Sequence, residues 1–328
     1  MKLPEFEYFS PRDVTSTVEL LSIHGANAAL LAGGTDLLVR MKQGLVAPSV
    51  IVNIKDVEEL RGIRKEKDGS VRVGALTRLS ELVDSAVVKR KYPGLYQAAD
   101  AVSAPPLQNM GTVGGNLAQE TRCLYYNQTA MWRRSKPRCF KAGGEVCNAV
   151  KGGDHCFAVY QGDLAPMLIA LSAKIVLSSK EERRTIPLET LYSGKGKVPL
   201  KKESGELLEE VILPPPEGNQ VSRYEKLRLR QALDYPLVGA AVAMVLSKDG
   251  RRCERGRLVL TSIGSRPIVV DDNQLMKGAA ISDAWIQELS EAAYKAAKTF
   301  PNVLTPPVYR KKMAKILAKR VISKALKR

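Results

Sequence analysis

The segment LLAGGTDLLVRMK, residues 30–42, places two glycines between a short apolar run and a helix-like stretch. Because glycine has no Cβ atom, Gly33 and Gly34 allow a tight turn in which successive amide groups can point at one anion. A strand, such a turn and a helix together form a common phosphate-binding arrangement. A Gly-Gly pair taken alone is more often an ordinary turn.

A second glycine cluster, GTVGGN at residues 111–116, has the same character. Its amide groups are again unhindered, and two such loops could hold the two phosphates of a dinucleotide. Neither cluster matches the G-x-G-x-x-G fingerprint or the G-x-x-x-x-G-K-S/T phosphate loop. The two clusters therefore indicate a phosphate-containing ligand without naming it.

The spacing of apolar residues predicts that helices and strands alternate along the chain. Ser10 is predicted to cap a first helix, with Pro11 at its first position, that ends at His24 and Gly25. Further strands are predicted at 28–32, 50–54, 71–75, 174–179, 238–246 and 256–263, and further helices at 37–44, 95–102, 163–173 and 286–300. This pattern is typical of α/β or α+β proteins.

The positive charge is concentrated at the carboxyl end. The chain has a net charge of +17, and residues 302–328 contain Lys and Arg but no Asp or Glu. Helical spacing of apolar residues predicts that this tail is an amphipathic helix with a solvated basic face. The apolar stripe is Tyr309, Met313, Ile316, Leu317 and Val321. An acidic protein or a polyanion is an alternative partner, but no zinc-finger, helix-turn-helix or RNA-binding pattern supports nucleic acid.

Neither a membrane span nor a secretory signal is expected. The longest apolar run, residues 237–246, is far shorter than the ~20 residues that cross a bilayer. The first 13 residues carry acids and prolines instead of a basic segment followed by an apolar one. We therefore expect a reducing, cytoplasmic compartment, in which clustered cysteines bind metal or perform redox chemistry more often than they form disulfides.

Such a cluster lies at residues 122–156, which contain four of the five cysteines. They are Cys123, Cys139, Cys147 and Cys156. Their wide spacing matches neither paired C-x2-C zinc sites nor the C-x2-C-x2-C ferredoxin run. The residues alone leave open an iron–sulfur cluster, structural zinc, or unligated or disulfide-forming thiols. His155 is expected to be exposed or to support a ligand, and Cys253, in a charged turn-like setting, to be an unligated thiol.

Aromatic and basic side chains surround these cysteines in the sequence. The aromatic residues, which could exclude water, are Tyr125, Tyr126, Trp132, Phe140, Phe157 and Tyr160. The basic residues, which could offset the charge of thiolates, are Arg122, Arg133, Arg134, Lys136, Arg138 and Lys141.

Five motifs occur in one order along almost the whole chain. They are residues 30–42, 111–118, 162–171, 207–214 and 224–244. In this combination the chain resembles the FAD-binding medium subunits of the molybdenum hydroxylases related to xanthine dehydrogenase and carbon monoxide dehydrogenase. The resemblance implies an α+β fold in which a two-part FAD-binding domain, residues 1–218, precedes a smaller α+β domain, residues 219–328, with a basic terminal helix. The two parts are residues 1–55 and 56–218.

The resemblance also assigns cofactor-binding residues. For the FAD diphosphate it implies Leu31, Ala32, Gly33, Gly34, Thr35, Asp36, Leu37, Gly111, Thr112, Val113, Gly114, Gly115 and Asn116. Asp163, Leu208 and Lys226 stand where relatives have residues near the flavin. Gln108 stands where many relatives have arginine, so no role is assigned to it. No catalytic residue is expected, because the substrate chemistry belongs to another subunit.

The cysteine-containing insertion, at about 120–160, is absent from most of that family. It resembles the insertion in the β subunits of the 4-hydroxybenzoyl-CoA reductases, and the resemblance implies that the four cysteines ligate an additional [4Fe–4S] cluster. Electrons from a ferredoxin-type donor would then pass through this cluster and FAD to a small [2Fe–2S] subunit and a molybdenum-cofactor subunit. Such an enzyme, a heterohexamer, removes a hydroxyl group from an aromatic acyl-CoA.

Two other functions remain open at the level of the sequence. One is the FAD subunit of a hydroxylase in which electrons flow outward to another acceptor. The other is a zinc-organised module whose basic surface binds nucleic acid.

Overall fold

The computed structural model describes residues 2–231 and 233–327, with the backbone alone at Asp272. These residues form three β-sheets, each with helices packed against it. Helices and strands are both abundant, which confirms the predicted α+β class. Within the described ranges, no helix combines the length and the apolar character needed to span a bilayer.

The first sheet is small and parallel. Its elements are β1 Glu7–Phe9, α1 Val14–His24, β2 Ala28–Leu31, α2 Leu37–Lys42 and β3 Val50–Asn53. The strand order is β1-β3-β2, with both neighbouring pairs parallel. All residues of β3 are buried, as expected for a central strand covered on both faces. Parallel strands end at the same sheet edge, so the turn from β2 into α2 leaves the sheet at that edge.

The first helix starts later than predicted. Its N-cap is Asp13, whose side chain accepts a hydrogen bond from the amide of Ser16 at 2.7 Å. Ser10 is therefore not the cap. Its hydroxyl instead accepts a hydrogen bond from Asn53 Nδ2 at 3.0 Å, so a contact distant in sequence determines its position.

The second sheet is antiparallel and carries most of the helices. Its elements are β4 Ile63–Lys65, β5 Val71–Gly74, α3 Leu79–Asp84, α4 Ala86–Lys91, α5 Pro93–Asp100, α6 Pro105–Gln108, α7 Val113–Leu117, α8 Ala130–Arg134, α9 Leu164–Ala170, β6 Lys174–Ser178, β7 Arg183–Pro187 and β8 Leu207–Leu213. The strand order is β4-β5-β8-β6-β7. Every residue of α9 is buried, so this helix is the centre of the largest core.

The third sheet contains the carboxyl-terminal part of the chain. Its elements are β9 Asn219–Leu227, β10 Val238–Leu246, β11 Arg252–Thr261, β12 Ile268–Asp272, β13 Ala279–Ala280, α10 Asp283–Ala296 and α11 Pro307–Leu326. The main strands follow the order β12-β11-β10-β9. Along β10, Ala241 and Ala243 face the core around α9, whereas Ala240 and Val242 face α10 and α11. The sheet is therefore packed between two layers of helices.

The terminal helix buries a different face from the predicted one. Leu317 and Val321 are buried as predicted, but Tyr309 and Ile316 are each 45% exposed. The packed face instead includes Ala314 and Ala318, whose small side chains allow close approach to the sheet. The predicted stripe was wrong at these two positions because it was drawn through large side chains only.

Arg310 is the largest fully buried side chain of the described residues. Its Nε donates to the Leu237 carbonyl at 3.1 Å, and its Nη1 donates to the Phe300 carbonyl at 3.1 Å and to Asn302 Oδ1 at 3.2 Å. Its Nη2 donates to the Ser262 carbonyl. Burial lowers its pKa to about 10, so the guanidinium remains charged at neutral pH.

We expect Arg310→Ala to lower the free energy of unfolding by about 3 kcal/mol, because it leaves several buried acceptors without a donor. Urea unfolding followed by circular dichroism measures this loss. Lys312→Ala, at an exposed position of the same helix, is the control and should cost less than about 0.5 kcal/mol. Equal stability of the two variants would show that Arg310 does not hold this region together.

Candidate functional site

The first glycine loop lies at the carboxyl edge of the parallel sheet. Leu31 is the last residue of β2 and Leu37 the first residue of α2, so residues 32–36 form the turn between them. Gly34 has a φ of +74°, a backbone conformation that favours glycine. The turn therefore depends on the glycine that the sequence supplies.

The backbone amides of this loop are free. Within the described residues, the N–H groups of Gly33, Gly34, Thr35 and Asp36 donate no hydrogen bond. Four neighbouring amides without a partner form a site for an anion such as a phosphate. This observation fits the diphosphate of a dinucleotide cofactor.

The second glycine loop uses most of its amides internally. Val113 N donates to the Thr77 carbonyl at 2.9 Å, Gly114 N to the Ala75 carbonyl at 2.8 Å, and Gly115 N to Thr112 Oγ1 at 3.1 Å. The expectation that both loops present several successive amides is therefore wrong for this loop. The amides of Val113 and Gly114 fasten α7 to residues 75–77. Among the described residues 112–115, Thr112 alone has a backbone amide that donates no hydrogen bond.

The two loops touch each other. A Cβ atom added at Gly33 would lie 1.8 Å from the carbonyl oxygen of Met110 and 3.2 Å from the Cα of Gly111. No side chain fits between the two backbones. Gly33 is thus required for the contact that makes the two loops one continuous surface.

A buried ion pair lies beside this surface. The carboxylate of Asp163, which precedes α9, accepts a hydrogen bond from the Tyr224 hydroxyl at 2.6 Å and lies 3.1 Å from the Lys226 ammonium. Burial raises the pKa of Asp163, whereas Lys226 and Tyr224 oppose this rise. Asn116 Oδ1 accepts from the amide of Leu164 at 3.3 Å, which ties the second loop to the same helix.

The structure thus brings three of the predicted residues, Asn116, Asp163 and Lys226, to the start of α9. Leu208 lies within β8, 7% exposed, in the largest core. Tyr224 was not predicted, because its role depends on a partner 61 residues away in the sequence.

Removing the positive member of the pair gives a pH-dependent prediction. Lys226→Met should lower stability by about 3 kcal/mol near neutral pH, because it leaves the Asp163 carboxylate buried without its cation. A raised folded-state pKa contributes stability at low pH that is lost as the pH rises through that pKa. The loss caused by Lys226→Met should therefore be larger at pH 8 than at pH 5.

Thermal unfolding at the two pH values tests this expectation. The double variant Asp163→Asn, Lys226→Met has no carboxylate to titrate at this position, so the extra loss at pH 8 should disappear. A loss of the same size at both pH values in the single variant would show that Asp163 does not titrate in this range.

The four cysteines of the insertion line one cavity. Tyr125, Tyr126, Phe140, Lys141 and Phe157 are among the other residues that line it. All four thiols are free, and burial raises the pKa of Cys123 to about 11 and raises that of Cys156. The predicted metal ligands Cys123, Cys139, Cys147 and Cys156 are therefore brought together.

The cavity beside the thiols is small. Its volume is about 20 Å³, which is the room that one water molecule needs. In the described part of the chain, no three His, Cys, Asp or Glu side chains form a ready-made metal site. The chemistry of four thiol donors fits either zinc or an iron–sulfur cluster.

Short backbone contacts fold the insertion. Arg122 and Val159 exchange two hydrogen bonds of 2.8 Å at its base, and a parallel bridge joins Cys139 to Val146. Arg133, which was predicted to offset the charge of the thiolates, donates instead to the carbonyl oxygens of Gln43 and Gly44. It therefore fastens the insertion to the end of α2. Lys141 is the predicted basic residue that does line the cavity.

Two residues predicted to be outside the thiol site are outside it. His155 is 60% exposed and lies 2.6 Å from Asp154. Cys253 forms no disulfide, and its setting differs from the predicted charged turn because it is fully buried within β11.

A chain of ion pairs joins the first glycine loop to the thiol cavity. Asp36 pairs with Arg122 at 3.3 Å and with Arg40 at 3.7 Å. Arg40 pairs with Glu120 at 3.4 Å, and Glu120 pairs with Lys141 at 3.2 Å. The sequence shows only the helical i, i+4 spacing of Asp36 and Arg40, so the connection as a whole depends on the fold.

Comparison with known proteins identifies the fold. Residues 4–216 match the FAD binding domain in molybdopterin dehydrogenase, and residues 222–325 match the carbon monoxide dehydrogenase flavoprotein C-terminal domain. The chain belongs to the xanthine dehydrogenase and carbon monoxide dehydrogenase family of FAD-binding medium subunits. Membership of this family confirms the predicted FAD-binding fold with a carboxyl-terminal domain and supports FAD as a cofactor.

Members of the family match this chain along most of its length. The carbon monoxide dehydrogenase medium chain of Hydrogenophaga pseudoflava is 28% identical over 323 residues, 98% of this chain and 97% of that protein. The aldehyde oxidoreductase FAD-binding subunit of Escherichia coli is 31% identical over 268 residues, 77% of this chain and 80% of that subunit. A solved chain of the Hydrogenophaga enzyme superposes with a TM-score of 0.82 at 27% identity, covering 99% and 98% of the two chains.

Proposed function

We propose that this chain is the electron-transfer subunit of a molybdenum enzyme that resembles the 4-hydroxybenzoyl-CoA reductases. It holds FAD and a [4Fe–4S] cluster, and electrons from a ferredoxin-type donor pass from the cluster to FAD. A small [2Fe–2S] subunit then conducts them to the molybdenum subunit, where an aromatic acyl-CoA is reductively dehydroxylated. The chain is an oxidoreductase subunit without catalytic residues of its own.

One observation carries this proposal. A single chain presents four free loop amides and a four-thiol cavity, and a chain of ion pairs from Asp36 to Lys141 connects them. Iron–sulfur clusters and flavins are both electron carriers, whereas zinc beside a flavin would add only structure. Family membership favours this interpretation over a zinc-organised nucleic-acid module.

The cofactors have assigned residues under this proposal. The FAD diphosphate lies on the first loop, Leu31 to Leu37, and against the second, Gly111 to Asn116. Asp163, Leu208 and Lys226 shape the surroundings of the flavin. Cys123, Cys139, Cys147 and Cys156 bind the cluster. Residues 1–55 and 56–218, with the insertion at about 120–160, form the FAD-binding domain, and residues 219–328 form the second domain.

The proposed partners follow from the relatives. Several are named as medium chains or FAD-binding subunits of dehydrogenases or of an aldehyde oxidoreductase, which supports assembly with a molybdenum-cofactor subunit and a small [2Fe–2S] subunit. A heterohexamer in the cytoplasm is the proposed assembly, since a reducing compartment keeps the four thiols available for iron.

The direction of electron flow is testable by a redox titration of the holoenzyme, followed by electron paramagnetic resonance and flavin absorbance. The reductive function predicts that the cluster has a more negative midpoint potential than FAD, so that electrons from a low-potential donor run downhill to the flavin. A cluster potential above that of the flavin would contradict this direction.

The second candidate is a subunit of an oxidative enzyme. The relatives of this chain include subunits named for carbon monoxide, nicotinate and xanthine dehydrogenases, and these names favour an oxidative function. Electrons would then leave through this chain to an outside acceptor. A flavin that is reduced by the molybdenum subunit before the cluster in stopped-flow experiments would support this alternative.

A further inference from the structure

One exposed face of the insertion is basic and has an apolar spot. Met131 is 79% exposed, and Arg134, Lys136 and Arg138 are exposed after it. We call these four residues the docking face. Leaving out Asp272, whose backbone alone is described, no acidic side chain among residues 2–231 and 233–327 forms an ion pair with its three cations. On α11, Lys315 and Lys324 are paired with acidic neighbours, whereas the exposed Lys312 and Lys319 form no ion pair with a described acidic side chain.

The docking face lies close to the thiol cavity. Tyr125 lines the cavity, and the ring of Trp132 lies 6.2 Å from the ring of Tyr125. The Lys136 ammonium lies 5.9 Å from the centre of the Trp132 ring. The rings of Trp132 and Tyr125 therefore connect the Lys136 ammonium to the wall of the cavity, so a redox partner seated at Lys136 lies close to the cysteines.

An open groove borders the same face. It has a volume of about 580 Å³ and runs between residues 2–4, residues 41–47 and the start of α8. Pro4, Val46 and Met131 contribute apolar surface to it. A partner can therefore bury a few apolar atoms there while its acidic side chains meet the cations.

We propose that this face docks a small acidic iron–sulfur protein that delivers electrons to the chain. The inference rests on the proposed function, since it assumes an electron acceptor at the four thiols. One electron leaves the reduced donor, which is oxidised, and reduces the acceptor in this chain by one electron, with no bond made or broken. Complementary charge accelerates such encounters, and small transient interfaces suffice for electron transfer.

The proposal is tested on the assembled holoenzyme with an acidic two-cluster ferredoxin as the probe. The variant Arg134→Glu, Lys136→Glu reverses two charges of the docking face. The matched control is Lys312→Glu, Lys319→Glu, which makes the same change of charge at exposed positions of α11. The dissociation constant of oxidised ferredoxin is measured at low and high ionic strength, together with the rates of reduction by reduced ferredoxin and by dithionite.

Reversal of the docking face should weaken ferredoxin binding by about ten-fold or more at low ionic strength and flatten its salt dependence. The rate of reduction by ferredoxin should fall in parallel, the rate with dithionite should not change, and the α11 control should stay within about two-fold of the parent protein. Unchanged binding in the docking-face variant, or the larger loss in the α11 variant, would overturn the proposal.

Two further measurements distinguish an error in the proposed function from an error in the docking face or in its proposed partner. Iron, sulfide and FAD are assayed in the same samples. A parent protein without iron overturns both the proposed function and the docking face, whereas intact cofactors with unchanged ferredoxin binding overturn the docking face alone. If short duplex DNA binds as tightly as ferredoxin and is lost in the same variant, the face binds polyanions in general, and the proposed partner is wrong.

Discussion

Replacing Gly33 by alanine is expected to abolish most FAD binding. The new Cβ atom would lie 1.8 Å from the Met110 carbonyl oxygen, so one of the two glycine loops must move away from the other. Overpacking of this kind costs about 1–3 kcal/mol, which corresponds to a loss of affinity of about five-fold to 150-fold. Flavin released from the purified protein, measured by absorbance against protein concentration, gives the occupancy.

The matched control is Gly205→Ala. No atom lies within 4 Å of a Cβ added at Gly205, and its backbone is not left-handed, so this variant should keep its FAD. Circular dichroism shows whether the Gly33 variant is folded. If a folded Gly33→Ala protein binds FAD as tightly as the parent, the contact between the two loops does not form the FAD site.

The second large effect is expected at the thiol cavity. Cys139→Ser should remove nearly all iron and acid-labile sulfide, because a [4Fe–4S] cluster is held by four thiolates. Much of the FAD should remain, since the free amides of the first glycine loop belong to another element. Iron and sulfide analysis of protein purified without oxygen measures the loss, and flavin analysis of the same sample measures what is retained.

Cys253→Ala is the control for this variant. Cys253 is buried within β11 and lines no part of the cavity, so the control should keep both iron and FAD. Full iron and sulfide in the Cys139 variant would contradict the assignment of the four cysteines as cluster ligands.

Local patterns were sufficient to predict much of the fold. The apolar runs that became β2, β3, β6 and β10 are short and are followed by turns or polar residues, so their period and length identified them. The start of α1 was misplaced because Ser10 and Asp13 are both good capping residues, and only the contact of Ser10 with Asn53 decides between them. The face of α11 was misplaced because its packing depends on the alanines that meet the sheet.

The candidate site was less accessible from the sequence. The glycine clusters were visible, but the hydrogen bonds that occupy the amides of Val113 and Gly114 come from carbonyls more than thirty positions earlier. The wide spacing of the cysteines could not show that they converge, because a bridge between Arg122 and Val159 closes the insertion. The pairing of Glu120 with Lys141 likewise follows from the folded loop.

The cofactor content of protein purified without oxygen decides whether this chain carries both a flavin and an iron–sulfur cluster. The absorbance spectrum is recorded, and iron, acid-labile sulfide, zinc and released flavin are determined per chain. We expect about four irons, four sulfides and one FAD per chain. Zinc in place of iron, or a chain that holds FAD with empty thiols, would contradict the claim that this subunit joins a flavin to an iron–sulfur cluster.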